Sequence, residues 1–237
     1  MKYLITNDDG INAAGLKILA KIAKNFGDVV CVAPLKEQSA KSHGLNIKTN
    51  YLVKEIEDIL PGIKTYVVDS TPADCVRVAH YYLNIDFDIV LSGVNNGYNL
   101  GEDILYSGTI AAAEEGVLLH KKGIAFSTKR HTVEGLEEKL MDVFRYLKDS
   151  KIMEKANLIN VNIPEVYQEI KITKQGRTNF ITKYQELGDN MVYPTGSPDF
   201  SRSKDDIGSD VVAIDNKNIS ITPLIIDRTD YRLISNK

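Results

Sequence analysis

The chain has 237 residues, enough for one large α/β domain with an elaborated end. With 43% hydrophobic and 26% charged residues, its composition is that of an ordinary globular protein and excludes a disordered or collagen-like chain. A formal charge of −3, from 29 Lys and Arg against 32 Asp and Glu, offers no positive field to gather a nucleic-acid duplex without sequence preference.

The first eight residues turn acidic at Asp8, too early for the apolar stretch of a signal peptide, and no window approaches about 18 uninterrupted apolar residues. A cytoplasmic protein without a membrane span is expected. Cys31 lies inside the apolar run 29–33, where a buried, reduced thiol is the simplest reading; a disulfide with Cys75 is not expected.

Residues 2–6 are β-prone and end at Asn7-Asp8-Asp9-Gly10, after which Leu16, Leu19, Ala20, Ala23 and Phe26 recur at helical spacing. A second strand over 28–33, stopped by Pro34, completes a βαβ unit. The alternation continues. Tyr66-Val67-Val68 precedes a helix opened by Pro72, and Asp88-Ile89-Val90-Leu91 precedes a loop and a small-residue helix around 111–115. Ile124-Ala125-Phe126 precedes an amphipathic segment over 134–148. This order predicts a Rossmann-like, doubly wound, mostly parallel sheet with helices on both faces, carried by residues 1–150.

Residues 151–237 are expected to complete the fold as an irregular, β-rich extension. It has short β-like stretches at 158–163, 211–214 and 219–222, and a long polar segment between 184 and 210 suited to oligomerisation.

In doubly wound sheets ligands bind beyond the carboxyl ends of the strands, and that is where the polar motifs fall. Asp8 and Asp9 follow the first strand; adjacent carboxylates repel unless a cation or proton neutralises them, and hard oxygen donors suit Mg2+, Mn2+ or Ca2+. Asn-Asp-Asp-Gly is equally good turn chemistry, so alone the pair leaves both readings open. The loop after the second strand offers Ser39 as a neutral oxygen, although a lone loop Ser is usually a cap or a solvent-facing hydroxyl. The run Ser92-Gly93-Val94-Asn95-Asn96-Gly97-Tyr98-Asn99 combines glycines that admit close approach with Asn side chains that can meet a cation or an anion. Tyr106-Ser107-Gly108-Thr109 leads into a helix, whose free N–H groups favour a phosphate; a plain Ser N-cap would explain Ser107 by itself. No Walker-type loop or Gly-x-Gly-x-x-Gly follows the first strand. The four histidines show no paired ligand spacing; His80 fits a packed or surface role, and His43, near Ser39, remains a minor candidate.

These segments, with Thr71-Pro72-Ala73-Asp74-Cys75-Val76 and Ser220-Ile221-Thr222-Pro223-Leu224, resemble the SurE-type survival protein family of metal-dependent 5′- and 3′-nucleotidases over nearly the whole chain. The resemblance implies that Asp8, Asp9, Ser39 and Asn95 coordinate one divalent cation, Mn2+ or Mg2+, with Asp8 indispensable. It further implies a nucleoside monophosphate substrate and a homodimer or homotetramer with exchanged C-terminal elements. Asn96 and the Ser107-Gly108-Thr109 turn would then donate to the phosphate. Two departures stand out: Ala40 where the family usually has Gly, and Ser209-Asp210 in place of a more typical Thr-Asp. Two alternatives stand beside this reading, a Mg2+-dependent receiver module and a non-catalytic nucleotide sensor. The receiver fits less well, since such a module is about half this length.

Overall fold

Strand β1 (Lys2–Thr6) sends Leu4 and Ile5 to opposite faces, and both are fully buried. A strand apolar on both sides needs cover above and below. In this computed structural model, which describes residues 1–203 and 205–234, helices provide that cover on each side. The elements continue as α1 (Ala14–Ala23), β2 (Asp28–Pro34), β3 (Val53–Ile56), β4 (Thr65–Val68), and α2 (Pro72–Arg77), which runs on into a π turn. Next come β5 (Ile89–Asn96), a 3-10 segment (Gly101–Tyr106), α3 (Gly108–Leu118), β6 (Lys122–Thr128), α4 (Leu136–Asp149), the one-turn α5 (Ile152–Lys155) and β7 (Leu158–Ile163). The remainder supplies β8 (Ile170–Ile172), β9 (Asn179–Gly188), β10 (Met191–Asp199), α6 (Asp210–Asp215) and β11 (Ile219–Leu224).

Nine strands form one sheet in the order β3-β4-β2-β1-β5-β6-β7-β11-β8. From β4 across to β7 all neighbours run parallel, whereas β3 and β11 are antiparallel to β4 and β7. The doubly wound, mostly parallel sheet expected from the sequence is thus present. It is continuous across residue 150, because β7, β11 and β8 extend it. The chain leaves β1 for β2 and β4 on one side and returns to β5 on the other, so β1 and β5 flank a topological switch point. One face carries α1 and α4, whose Leu16, Leu19, Leu140, Val143 and Phe144 pack on Ile5, Leu91 and Phe126. The other carries α2 and α3, with Cys75, Val76 and Ala112 on Leu4, Val32 and Val90. Both cysteines are buried free thiols, and burial pushes the Cys31 thiol up to about 12.

Three local expectations change. The stretch after Leu91 continues as strand through Asn96, because β6 extends alongside and pairs Asn95 with Ser127 and Asn96 with Thr128. Residues 211–214, β-like by composition, lie in helix α6, opened by the Ser209 hydroxyl, which accepts the Val212 N–H at 3.2 Å. Capping and packing override the preference of a short β-branched run. The polar segment from 184 is more regular than its composition suggests. β9 and β10 form an antiparallel hairpin whose turn residues Asp189 and Asn190 both adopt the left-handed backbone, with φ of 49° and 58°. Among the described residues no helix is long and apolar enough to cross a membrane.

Candidate active site

Asp8 and Asp9 follow β1 after the single residue Asn7, at the switch point. Asp8 is only 6% exposed, and its Oδ1 accepts the Thr109 hydroxyl at 2.5 Å. The start of α3 comes this close because residue 108 is Gly: a Cβ there would lie 3.0 Å from Asp8 Cβ. Burial pushes Asp8 up to about 6; the Thr109 hydroxyl opposes the rise and the Asp9 charge adds to it. Asp9 is raised by burial, and its Oδ2 accepts the Asn96 N–H at 3.0 Å, which pulls the other way, as does the charge of Arg130. Neither carboxylate has an ion-pair partner among the described residues.

The loop after β2 is tied to the same point by its backbone. Gln38 N–H donates to the Asp8 carbonyl at 2.7 Å and Ile11 N–H to the Pro34 carbonyl at 2.8 Å. Ser39 is exposed and its hydroxyl donates to Glu37 Oε1 at 2.6 Å. Ala40 adopts φ 55°, a backbone that favours glycine, which gives a physical reason for Gly to be usual at this position. Further on, the loop is pinned to the α3 region. Ser42 N–H donates to the Tyr106 carbonyl at 3.0 Å and its hydroxyl to the Leu105 carbonyl at 2.6 Å. His43 bridges Glu114 Oε2 at 3.1 Å and Glu115 Oε2 at 2.9 Å, and Arg77 donates to Glu115 Oε1 at 2.9 Å. The hydrogen bonds to Glu114 and Glu115 push His43 up to about 9. His43 is therefore an anchor for the Ser39 loop.

The asparagines divide by partner. Asn95 Nδ2 donates to the Gly97 carbonyl at 2.8 Å, which leaves its Oδ1 as a bare acceptor. Asn96 Oδ1 accepts the His131 N–H at 2.7 Å, which leaves its NH2 as the uncommitted end. Asn99 is a buried clasp: its N–H donates to Asn162 Oδ1 at 2.9 Å, its Nδ2 to Ser127 Oγ at 2.8 Å, and its carbonyl accepts from Asn160 and Asn162. Ser107 is the N-cap of α3, accepting the Ile110 N–H at 3.2 Å, and the Thr109 hydroxyl is spent on Asp8.

The structure thus joins Asp8 with Gly108, Thr109 and the Gln38 backbone, and Asp9 with Asn96; among the described residues the Ser39 hydroxyl bonds to Glu37 alone. The donor chemistry fits a hard divalent cation. Asp9 Oδ1 and Asn95 Oδ1 each remain without a hydrogen bond among the described residues, the Asp8 carboxylate keeps lone pairs beyond those met by Thr109 and its own backbone, and the Ser39 oxygen keeps its lone pairs. Among those residues no group of three or more His, Cys, Asp or Glu could hold a metal, so the oxygen set draws on Ser and Asn as well as the two carboxylates.

Sequence reasoning missed two contributors. Asp210 is fully buried and accepts the N–H groups of Gly101 at 3.0 Å, Gly176 at 2.7 Å and Val211 at 2.8 Å, fastening the 3-10 segment that leads into Ser107. In the sequence it stands only as half of the Ser209-Asp210 departure, before a run read as β-like. The loop at 129–133, which holds Asn96, carries no local signal.

Residues 3–182 match the family model described as Survival protein SurE. The 5′-nucleotidase SurE of Clostridium botulinum is 36% identical over 244 residues, spanning 99% of this chain and 96% of that protein. The 5′-nucleotidase SurE of Alkaliphilus metalliredigens is likewise 36% identical, over 98% of this chain and 95% of its own. The crystal structure of the SurE protein from Aquifex aeolicus superimposes with a TM-score of 0.82 at 31% identity, covering 99% of this chain and 97% of that one. The family match over residues 3–182, the relatives at 36% identity and the superposition at a TM-score of 0.82 agree, and the chain belongs to the SurE family.

Proposed function

We propose that this chain is a metal-dependent phosphomonoesterase that hydrolyses nucleoside 5′-monophosphates, and 3′-monophosphates, to nucleoside and phosphate. The observation that carries the reading is a buried carboxylate, Asp8, with no ion-pair partner among the described residues, set against the first turn of the eleven-residue helix α3 at the topological switch point. Asp8, Asp9, Ser39 and Asn95 would hold one Mn2+ or Mg2+. Bound there, a divalent cation supplies the positive charge that polarises the phosphoryl oxygens and favours attack by water.

The chain's own groups do the positioning. Thr109 holds Asp8 through its hydroxyl, and the Asn96 backbone holds Asp9. The Gly97 carbonyl turns the Asn95 oxygen outward from its own bond. The Asn96 NH2, the Ser107 O–H and the Gly108 N–H donate to the phosphate, where charge spreads over the oxygens of a loose transition state. Membership of the SurE family and the nine-stranded sheet remove the ground for a receiver module. A cytoplasmic location and a homodimer or homotetramer exchanging C-terminal elements belong to the same proposal. The buried thiols and the exposed β9-β10 hairpin support them.

The test is phosphate release from 5′- and 3′-nucleoside monophosphates with Mn2+ or Mg2+ and with EDTA, for the wild type and Asp8→Asn. Metal-dependent release that Asp8→Asn loses is expected, by about a thousandfold or more. The substitution removes a buried charge, so the metal-free variant should be more stable by about 1–2 kcal/mol and its Tm should no longer respond to Mn2+. Full activity in the folded variant, or release unaffected by EDTA, would sink the reading.

A further inference from the structure

The segment beyond β6 reaches the crevice through two consecutive residues. The His131 N–H donates to Asn96 Oδ1 at 2.7 Å, so the loop is fastened to the side chain whose NH2 is left free. The residue before it, Arg130, lies against Gly97: a Cβ on Gly97 would stand 3.6 Å from Arg130 Nε and 3.7 Å from its Cγ. Gly97 itself carries the carbonyl that orients Asn95. The guanidinium is near enough to Asp9 for its charge to act on that carboxyl, yet among the described residues it forms no ion pair. Its neighbour Lys129 is different, being paired with Glu165 at 2.8 Å. One cation of this loop is therefore spent on the surface and the other is left beside a crevice lined by Asp8, Asp9 and Glu37.

A phosphate monoester entering that crevice meets three carboxylates, and groups that stabilise it must offset their field. A guanidinium does so with a planar fork that suits phosphate oxygens. We propose that Arg130 is a substrate-binding residue of this enzyme, its guanidinium taking a phosphoryl oxygen of the bound nucleotide beside the Asn96 NH2. The proposal rests on the phosphatase reading above and adds to it a specific contact from the β6 side. The His131 backbone is the positioning element, because it holds both the loop and the orientation of the Asn96 carboxamide.

The experiment compares wild type, Arg130→Ala and Arg130→Lys with AMP as substrate and inorganic phosphate as competitive inhibitor, at low and high salt. Arg130→Ala should raise KM and weaken phosphate inhibition by a common factor of about tenfold, the exposed position keeping the effect moderate. Its kcat should change less than about threefold, with Lys recovering part of the loss. Wild-type KM should rise with ionic strength more steeply than that of Arg130→Ala. Unchanged KM and phosphate inhibition in folded Arg130→Ala would overturn the proposal. A wild type that releases no phosphate would instead overturn the phosphatase reading; AMP binding by calorimetry with Mn2+ would then decide Arg130, equal affinities counting against it.

Discussion

Two regions of this molecule obey different rules. At the crevice, Asp8 is 6% exposed and is held by Thr109, by the Gln38 backbone and by the close approach of Gly108, contributed by segments far apart in the chain. In the β9-β10 hairpin nearly every residue is exposed, with Tyr184 at 66% and Tyr193 at 58%, and the strands bond to one another and to no other sheet. The crevice is over-determined by tertiary contacts, whereas the hairpin has local ladder bonds and a turn but no core of its own. An isolated two-stranded hairpin is marginal in water, so a long arm of this kind with exposed aromatic side chains is suited to packing against another copy of the chain.

The difference can be broken at the buttress of the crevice. Asp210→Ala would leave the Gly101 and Gly176 N–H groups buried without an acceptor, and a loss of about 3 kcal/mol in urea unfolding is expected. Asp210→Asn keeps one acceptor oxygen and should lose less. Wild-type stability in both variants would show that Asp210 does not hold the 101–106 segment.

A smaller effect, dependent on pH, is expected at His43. Its pKa in the fold is raised from 6.5 to about 9, so the ion pairs it makes with Glu114 and Glu115 stabilise the fold fully below about 6.5. That contribution is lost as pH rises through about 9. Arg77, the other charged group facing this cluster, stays protonated throughout. His43→Ala should therefore cost about 1–2 kcal/mol near pH 6, reduced from the full linkage value by partial exposure, and little by about pH 10. Denaturant titrations at the two pH values check it; a cost independent of pH would assign His43 a packing role only.

The smallest effect on the body should come from the arm. Replacing Tyr184 and Tyr193 with Lys is expected to change the unfolding free energy of the body by less than about 0.5 kcal/mol, since neither packs on it. Sedimentation should nevertheless report a smaller assembly. A variant that sediments like the parent would mean that the arm does not mediate association.

Asp8 and Asp9 were legible because they closely follow the first strand of a recognisable βαβ alternation, and Asn95 and Asn96 as a polar Gly/Asn run beyond another strand, although the structure carries that strand on through Asn96. Ser107, Gly108 and Thr109 were legible as a helix start, but not the division of labour among them. That the Ser107 oxygen caps α3 while the Thr109 hydroxyl serves Asp8 depends on how α3 sits against β1. The α6 segment was misjudged because short β-branched runs do not distinguish strand from helix, and the hairpin because its strands bury no face and so lack a regular alternation.

By itself, the sequence determined the doubly wound architecture, the strand ends that carry polar chemistry and the family to which those motifs point. Each of these depends on periodicity and on residues adjacent in the chain. Only the tertiary structure decided which oxygen of Asp8 takes the Thr109 hydroxyl and which ends of Asn95 and Asn96 are bonded. It likewise decided that Asp210 buttresses the approach to α3, and that Arg130 stands beside Gly97 with no ion pair among the described residues. Those outcomes are set by hydrogen bonds and close approaches between residues dozens of positions apart, which no local pattern encodes.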